Sequence, residues 1–459
     1  MYQIDFKTPI HVHFIGIGGI SMSGLAEILL SRGFTISGSD SQSSALTKHL
    51  ESLGAAIYYG QRADNIKDGT DLAVYTAAIR EDNPELAEVR GRGIPALSRA
   101  ELLGQLMKNY QIPIAVSGTH GKTTTTSMVS EILLTADTDP TLSIGGILKN
   151  INSNLRIGHS EYFVTEACEY TNSYLSFFPK FSIILNIEED HLDFFKDIHE
   201  IRDSFHRFAS LLPTDGALII NGDIERLEEI TKGLSCRIIT FGSTSQSDYY
   251  PSDITFADNG CASYVLHRPG GEPENIQLSV VGVHNIYNSL SAIALSELLG
   301  LDMTTIKKGL SSFSGTDRRF ERKGEIGGIT IIDDYAHHPT EIRATLNSAK
   351  GYPHKRLVCV FQPHTYTRTK AFLDDFAKAL SAVDLVILTD IYAAREKNTI
   401  GISSKDLKEK LDALGVKCYY YPLFDDIENF ILQNCGEGDL LITMGAGDVV
   451  KIGESLLGK

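Results

Sequence analysis

The stretch Ala115–Thr126, AVSGTHGKTTTT, carries an apolar run into a glycine turn and then into a helix opened by one lysine and a row of threonines. Successive N–H groups at such a helix start converge on an anion, and the helix dipole adds to their pull. A full phosphate loop has a glycine five residues ahead of its Gly-Lys pair; Val116 stands there, leaving the shorter Gly118-x-x-Gly121-Lys122-Thr123. Lys122 has the reach for outer phosphates, and the Thr123 hydroxyl suits Mg²⁺. The structural alternative is a glycine turn with a threonine-capped helix. Against it, Thr123–Thr126 are β-branched residues packed into a first turn, where helix propensity disfavours them. Broken local rules of this kind gather at functional sites.

A second glycine turn lies in HFIGIGGISMSG, His13–Gly24. Gly16-x-Gly18-Gly19 follows a strand and precedes a helix, but Ser21 occupies the third glycine position of the dinucleotide fingerprint. Ser39 and Asp40 end the next strand, about twenty residues on, where a ribose-binding acid belongs. Close packing of a helix on a strand could require the same glycines.

Carboxylates and histidines recur at other strand ends. Glu166 closes EYFVTEA, and Glu188–His191, EEDH, follows FSIILNI. In a parallel sheet these positions and the Lys122 loop share the carboxyl edge, where open α/β sheets bind ligands. A carboxylate there suits Mg²⁺ against phosphate oxygens, whereas His191 is a less usual neighbour for an ion that prefers oxygen. Read alone, EEDH is equally a solvated acidic loop. Asn285 and Asn288 open a helix after Gly282, as base contacts or as caps. Arg318 and Arg319 could pair with a phosphate or be a solvated charge run. Near the C-terminus, Asp333, Asp334, His337, His338, His364, Arg368, Asp390 and Gly445 all follow strands. The aspartates could accept from a sugar, and Arg368 could hold a carboxylate. A histidine pair could ligate metal, though no third His or Cys has suitable spacing.

The elements that must position these residues alternate strand and helix through most of the chain, which predicts an α/β fold of three domains, each a mainly parallel sheet with flanking helices. The expected divisions are 1–109, 110–317 and 318–459. Residues 244–282 read as a β-rich excursion, and GTDRRFERKG, charged and aperiodic, reads as the second linker. With 459 residues, two to four domains are expected. A net charge of −16 argues against a nucleic-acid surface. The six cysteines are scattered with no CxxC pair, which fits a reducing cytoplasm. No secretion signal and no membrane-spanning run is visible.

Together these segments resemble the Mur ligases. HFIGIGGISMSGLAEIL, GTHGKTTTT, NIEEDHLD, GVHNIYNSLSAIA, DRRFE, DDYAHHPTE, FQPHTYTRT, DIYAAREK and MGAGD follow in that family's order over nearly the whole chain. DDYAHHPTE and FQPHTYTRT are those of the alanine-adding branch and its near relatives. The resemblance implies a Rossmann-like N-terminal domain, a P-loop-type central ATPase domain and a Rossmann-like C-terminal domain. It implies a cytoplasmic enzyme, monomer or homodimer, that uses ATP and Mg²⁺ to join L-alanine to the lactyl carboxylate of UDP-N-acetylmuramate through an acyl phosphate. No nucleic acid or membrane is involved.

Carried over residue by residue, Gly118, Thr119, His120, Gly121, Lys122, Thr123 and Thr124 would cradle ATP, with Lys122 on the transferring phosphate. Thr123, Glu166 and His191 would hold magnesium. Asn285 would contact adenine, Arg319 the γ-phosphate and Asp334 the ribose. Gly16, Gly18, Gly19, Ser21, Ser39 and Asp40 would bind the UDP sugar. Tyr335, His364 and Arg368 would line the amino-acid side, with His337 joining Lys122 and Arg319 in catalysis. One departure stands out: many relatives carry an EADE-like run where this chain has EACEYTNS, placing Cys168 beside the metal position, as a packed apolar residue or a redox-sensitive thiol. A murein-peptide ligase, which attaches a tripeptide to the same UDP sugar, shares most of these motifs. An NAD-dependent dehydrogenase or a regulatory nucleotide-sugar-binding module would use the first glycine turn but leave Lys122, Glu166 and His191 without a task.

Overall fold

The computed structural model describes residues 2–257, 259–394 and 396–459; Arg395 of DIYAAREK lies outside them. The first glycine turn grows out of a five-stranded sheet: β1 (His11–Ile15), β2 (Thr35–Asp40), β3 (Ala56–Tyr59), β4 (Leu72–Tyr75) and β5 (Ala96–Ser98). Its order is β3-β2-β1-β4-β5 and all pairings are parallel. Strand order therefore reverses beside β1, and the crevice of such a switch point opens at the carboxyl end of that strand, where Gly16 stands. Helices cover the sheet, so its central strands read as apolar runs rather than alternating ones; Val12, Phe14 and Ile15 of β1 are fully buried.

The second sheet comprises β6 (Ile112–Ser117), β7 (Thr141–Leu148), β8 (Ser153–Arg156), β9 (Tyr162–Ala167), β10 (Phe181–Ile184), β11 (Ala217–Asn221) and β12 (Arg237–Phe241), in the order β12-β11-β10-β6-β9-β7-β8. Only β8 runs antiparallel. Strand β6 lies between β10 and β9, with Val116 opposite Ile183 on one side and Glu166 on the other. That register puts the Lys122 loop, Glu166 and the EEDH loop on one edge, as the alternation required. An antiparallel excursion follows, β13 (Tyr250–Phe256), β14 (Cys261–His267) and β15 (Glu274–Val281).

The third sheet holds β16 (Glu321–Ile326), β17 (Ile329–Asp334), β18 (Arg356–Phe361), β19 (Leu385–Leu388), β20 (Cys418–Tyr420) and β21 (Asp439–Met444), ordered β16-β17-β21-β18-β19-β20. The expectation of an aperiodic linker through GTDRRFERKG needs correction, because β16 begins inside it at Glu321 and pairs antiparallel with β17. An edge strand tolerates charges on an exposed face, and the Gly327-Gly328 pair, at φ +56° and +78°, turns the chain straight into β17.

The first two sheets share a core. The helix Arg99–Met107 buries Leu102, Leu103, Leu106 and Met107 in a cluster that also holds Phe14, Phe163, Phe205 and Phe208. Each such side chain, fully buried, stabilises by roughly 1.5–3 kcal/mol. The third sheet keeps clusters of its own on its two faces. Among the described residues, no helix is long and apolar enough to cross a membrane.

Candidate active site

Strand β6 ends at Ser117, and Gly121 takes a left-handed conformation, φ +85°, to start the helix Lys122–Thr135. No side chain caps this helix, so its first N–H groups face the loop's concavity. Lys122 Nζ donates to the carbonyls of Gly118 and Thr119 and pairs with Glu169 Oε2 at 3.0 Å. Burial opposes the charge, but Glu169 and its neighbours outweigh it and hold the Lys122 pKa above its ordinary value. Thr123 Oγ1 donates to Glu166 Oε2 at 3.1 Å, and Gly145 N donates to Glu166 Oε1 at 2.6 Å. A hydroxyl beside a carboxylate at a helix start is a hard-oxygen donor set that fits Mg²⁺.

His191 does not touch Glu166. Its Nε2 lies 3.6 Å from Glu169 Oε1 and 3.8 Å from Asp190 Oδ2, and its ring packs on Tyr170 at 4.6 Å. Glu169 thus bridges Lys122 and His191, a role that sequence reading missed, although an acid three positions after Glu166 was the available signal. Burial, with Glu169 next to it, pushes the Cys168 thiol up to about 11, so the thiol stays protonated at neutral pH.

A cavity of about 450 Å³ opens between the second and third sheets, lined by His120, Gly121, Thr124, Asn285, Arg319 and Asp334 among others. Its size suits a nucleotide. The helix His284–Leu298 has Val283 at its N-cap, so neither asparagine caps it; Asn285 donates to the Val281 carbonyl and Asn288 to Asn285 Oδ1. Asp334 accepts from the N–H groups of Phe320 and Ala336 at 3.0 and 2.8 Å, and burial raises it to about 6 against the pull of Arg319. The two arginines separate. Arg318 is spent on structure, pairing with Asp333 at 3.0 Å and donating to the carbonyls of Gly445 and Gly447. Arg319 stacks over Tyr335 at 5.4 Å, keeps only a 3.9 Å approach to Glu341, and lines the cavity. Asp333 is fully buried between Arg318 and Thr443.

Across the cavity's mouth the second and third sheets meet through charged groups. His120 Nδ1 lies 3.2 Å from Glu341 Oε1; burial favours the neutral ring, but Glu188 and Glu341 raise it to about 9. Arg368 donates to Asp190 Oδ1 at 3.1 Å and to His364 Nδ1 at 3.1 Å. His364 stacks on Tyr392, and burial beside His337 and Arg368 lowers it to about 3, so it accepts as a neutral ring. His337 Nδ1 lies 3.0 Å from the Tyr335 carbonyl, an acceptor only, which fixes the proton on Nδ1 and leaves the Nε2 lone pair available. Burial lowers its pKa, keeping it neutral.

At the first sheet, Gly16 and Ile17 donate their N–H groups to the Ser39 carbonyl, and Gly18 N donates to Asp40 Oδ2 at 2.8 Å. Gly19 caps the helix Ile20–Ser31 without a side-chain bond, and Ser21 Oγ accepts from Arg99 at 3.1 Å. Ser39 is fully buried and its hydroxyl donates to Glu85, itself held by Asn65 and beside His13. Ser39 therefore shapes the turn from beneath, and Asp40 braces Gly18. The buried Glu85–His13 network escaped sequence reading because a lone Glu on a helix gives no sign of burial.

Comparison with known proteins agrees with this arrangement. Three family models match in order: "Mur ligase family, catalytic domain" over residues 11–111, "Mur ligase middle domain" over 116–296, and "Mur ligase, glutamate ligase domain" over 318–447. The chain is 63% identical to the UDP-N-acetylmuramate–L-alanine ligase of Agathobacter rectalis and 59% identical to that of Lachnospira eligens, with 100% of both chains covered in each case. Among solved structures, the UDP-N-acetylmuramate–alanine ligase of Thermotoga maritima superimposes with a TM-score of 0.81 at 30% identity, covering 98% of each chain. A murein peptide ligase from Psychrobacter arcticus gives 0.71 at 27% identity, again over 98% of each. With its three wholly or mainly parallel sheets, two glycine turns and shared cavity in this order, the chain belongs to the Mur ligase family.

Proposed function

We infer that the protein joins L-alanine to the lactyl carboxylate of UDP-N-acetylmuramate at the expense of ATP, an early cytoplasmic step of peptidoglycan synthesis. The observation that carries this reading is a cavity lined by both the Lys122 loop and the third sheet. It gives one nucleotide contacts from two domains and leaves the first glycine turn free for a second ligand. The reading divides the chain into a UDP-sugar domain (1–109), an ATP domain (110–317) and an amino-acid domain (318–459).

The chemistry follows from placement. A carboxylate resists an amine, so its oxygen first attacks the γ-phosphorus of ATP, the bond to the β–γ bridging oxygen breaks, and ADP leaves an acyl phosphate. Lys122 and the uncapped N–H groups of its helix hold the phosphates, and Arg319 meets the charge on the transferring group from the opposite wall. Thr123 and Glu166 would hold Mg²⁺, which would neutralise phosphate charge, and His191 stands beside Glu169, which pairs with Lys122. The amine of L-alanine, its carboxylate on Arg368, then attacks the acyl carbon. His337 Nε2 accepts the ammonium proton, and the tetrahedral intermediate expels phosphate. Closure of the third domain over the cavity keeps water from the acyl phosphate.

Phosphate release from ATP with UDP-N-acetylmuramate tests the reading, comparing no amino acid, L-alanine, glycine, L-serine and the tripeptide L-alanyl-γ-D-glutamyl-meso-diaminopimelate. Release that needs both the sugar nucleotide and L-alanine is expected. Release with the tripeptide alone would move the protein to the murein-peptide branch, and no release from folded protein that binds the sugar nucleotide would leave a binding module.

A further inference from the structure

One group of metal-ligating side chains lies outside the Thr123–Glu166 oxygen pair. His120 comes from the ATP loop, Glu188 from the loop after β10, and His338 from the start of the helix Pro339–Lys350. One ring nitrogen of each histidine and one Glu188 oxygen all lie within 4.8 Å of one another. The two rings face each other at 4.8 Å and 36°. His120 Nε2 is buried without a hydrogen bond, 3.6 Å from Glu188 Oε2. That gap is too long for hydrogen bonding yet near the edge of a tetrahedral zinc polyhedron, about 3.4 Å for bonds of ordinary Zn–N and Zn–O length.

We propose that His120, Glu188 and His338 form a second cation site that takes Zn²⁺ or a similar borderline divalent ion and fastens the ATP loop to the third domain. Two imidazoles and one carboxylate are a donor set for zinc and a poor one for Mg²⁺, which favours oxygen. Three protein ligands leave a fourth position for water, and His120 and Glu188 both line the cavity. Glu188 is already oriented, its Oε2 accepting from Thr340 Oγ1 at 2.7 Å, and such outer contacts fix a ligand's aim. Both ring nitrogens of His338 are engaged, by the Glu189 carbonyl at 3.1 Å and the Thr340 N–H at 3.3 Å, so ligation exchanges one of these bonds for the ion. Because the ligands come from both sides of the domain seam, the site exists only while the seam is closed, and an ion there holds it so.

The test is calorimetric titration of the full chain with Zn²⁺ in a large excess of Mg²⁺, without nucleotide, on the native protein and on Glu188→Gln, His338→Ala and Glu166→Gln. One zinc per chain is expected, weakened roughly tenfold or more in Glu188→Gln and His338→Ala and unaltered in Glu166→Gln. Anomalous scattering at the zinc edge should place the ion between the three side chains. Equal binding by native protein and both seam variants, loss of binding in Glu166→Gln alone, or no binding to the native protein would each overturn the site. None of these outcomes bears on whether the protein ligates L-alanine.

Discussion

Arg368, on the short helix Tyr366–Ala371, reaches out of the third domain and closes on Asp190, on the loop after β10, at 3.1 Å. Asp190 is buried and Arg368 half-buried, and the pair is held in line by His364 on the far side of the guanidinium. Burial works against the Asp190 charge, but Arg368 outweighs it and holds the carboxylate well below its usual range. The pair is therefore an interdomain tie, and on the proposed function Arg368 is also the anchor for the L-alanine carboxylate. A double-mutant cycle of Asp190→Asn and Arg368→Lys, followed by denaturant unfolding, should give a coupling of about 0.5–3 kcal/mol. Lysine keeps the charge but not the planar fork, so Arg368→Lys should also raise KM for L-alanine about tenfold or more while KM for ATP stays within twofold or so. An equal rise in both constants would contradict the assignment of Arg368 to the amino-acid side.

Lys122 pairs with Glu169 in the structure and holds phosphate on the proposed function, and the two roles can be separated. Lys122→Ala should lower product formation by at least about a hundredfold, the scale for removing one preorganised charge donor. Calorimetric binding of UDP-N-acetylmuramate should persist, since the first glycine turn does not depend on this side chain. The same change leaves the nearly fully buried Glu169 with His191 at 3.6 Å as its remaining ion-pair neighbour, and breaking a buried pair costs up to about 3–5 kcal/mol. Adding Glu169→Gln to Lys122→Ala should recover part of the lost stability and none of the activity. Recovery of activity in the double variant would show that Lys122 serves the fold alone.

Much of the architecture was legible because its signals are local. Apolar runs bounded by glycine turns announced β1, β6 and β10, and the parallel rule then placed Lys122, Glu166 and EEDH on one edge. What could not be read were choices made by distant partners. Arg318 and Arg319 are adjacent and chemically alike; only Asp333 and the carbonyls beyond β21 show that Arg318 is structural. The two histidines of DDYAHHPTE do not act as a pair: His337 turns to the Tyr335 carbonyl, while His338 meets the Glu189 carbonyl across 149 positions. Strand β16 was hidden by its charge, which an edge position permits.

On the proposed ribose contact, Asp334 should set a pH dependence on nucleotide binding. Burial raises its pKa to about 6 from an ordinary 3.8, so in the folded protein the carboxylate takes up its proton as pH falls through about 6. Because the folded value is the higher one, protonation favours the fold: stability from this group grows between about 6 and 3.8 rather than shrinking. Ribose binding has the opposite sign, since the ionised group accepts two hydroxyl bonds and the acid accepts fewer. KM for ATP should rise as pH drops through about 6, and Asp334→Asn should flatten that rise at a higher baseline. A pH profile of KM unchanged by Asp334→Asn would remove Asp334 from the ribose contact.

Gly121 tests whether the loop's left-handed turn shapes the ATP site. At φ +85° an alanine is strained, and its Cβ would stand 2.8 Å from Asn288 Oδ1 and 3.2 Å from Leu185. Left-handed backbone alone costs an alanine about 1–2 kcal/mol; the clash adds a displacement of Asn288, which donates to Asn285 inside the nucleotide cavity. Gly54 is the control, since it too is left-handed, φ +102°, but a Cβ there meets nothing within 4 Å. Both Gly→Ala changes should lower the unfolding free energy by about the backbone cost. Only Gly121→Ala should also raise KM for ATP, by about tenfold if the displaced contacts are worth about 1.4 kcal/mol, with UDP-sugar binding unchanged in both. Matching kinetics in the two variants would mean that the turn sets the stability of the loop without setting the geometry of the phosphate cradle.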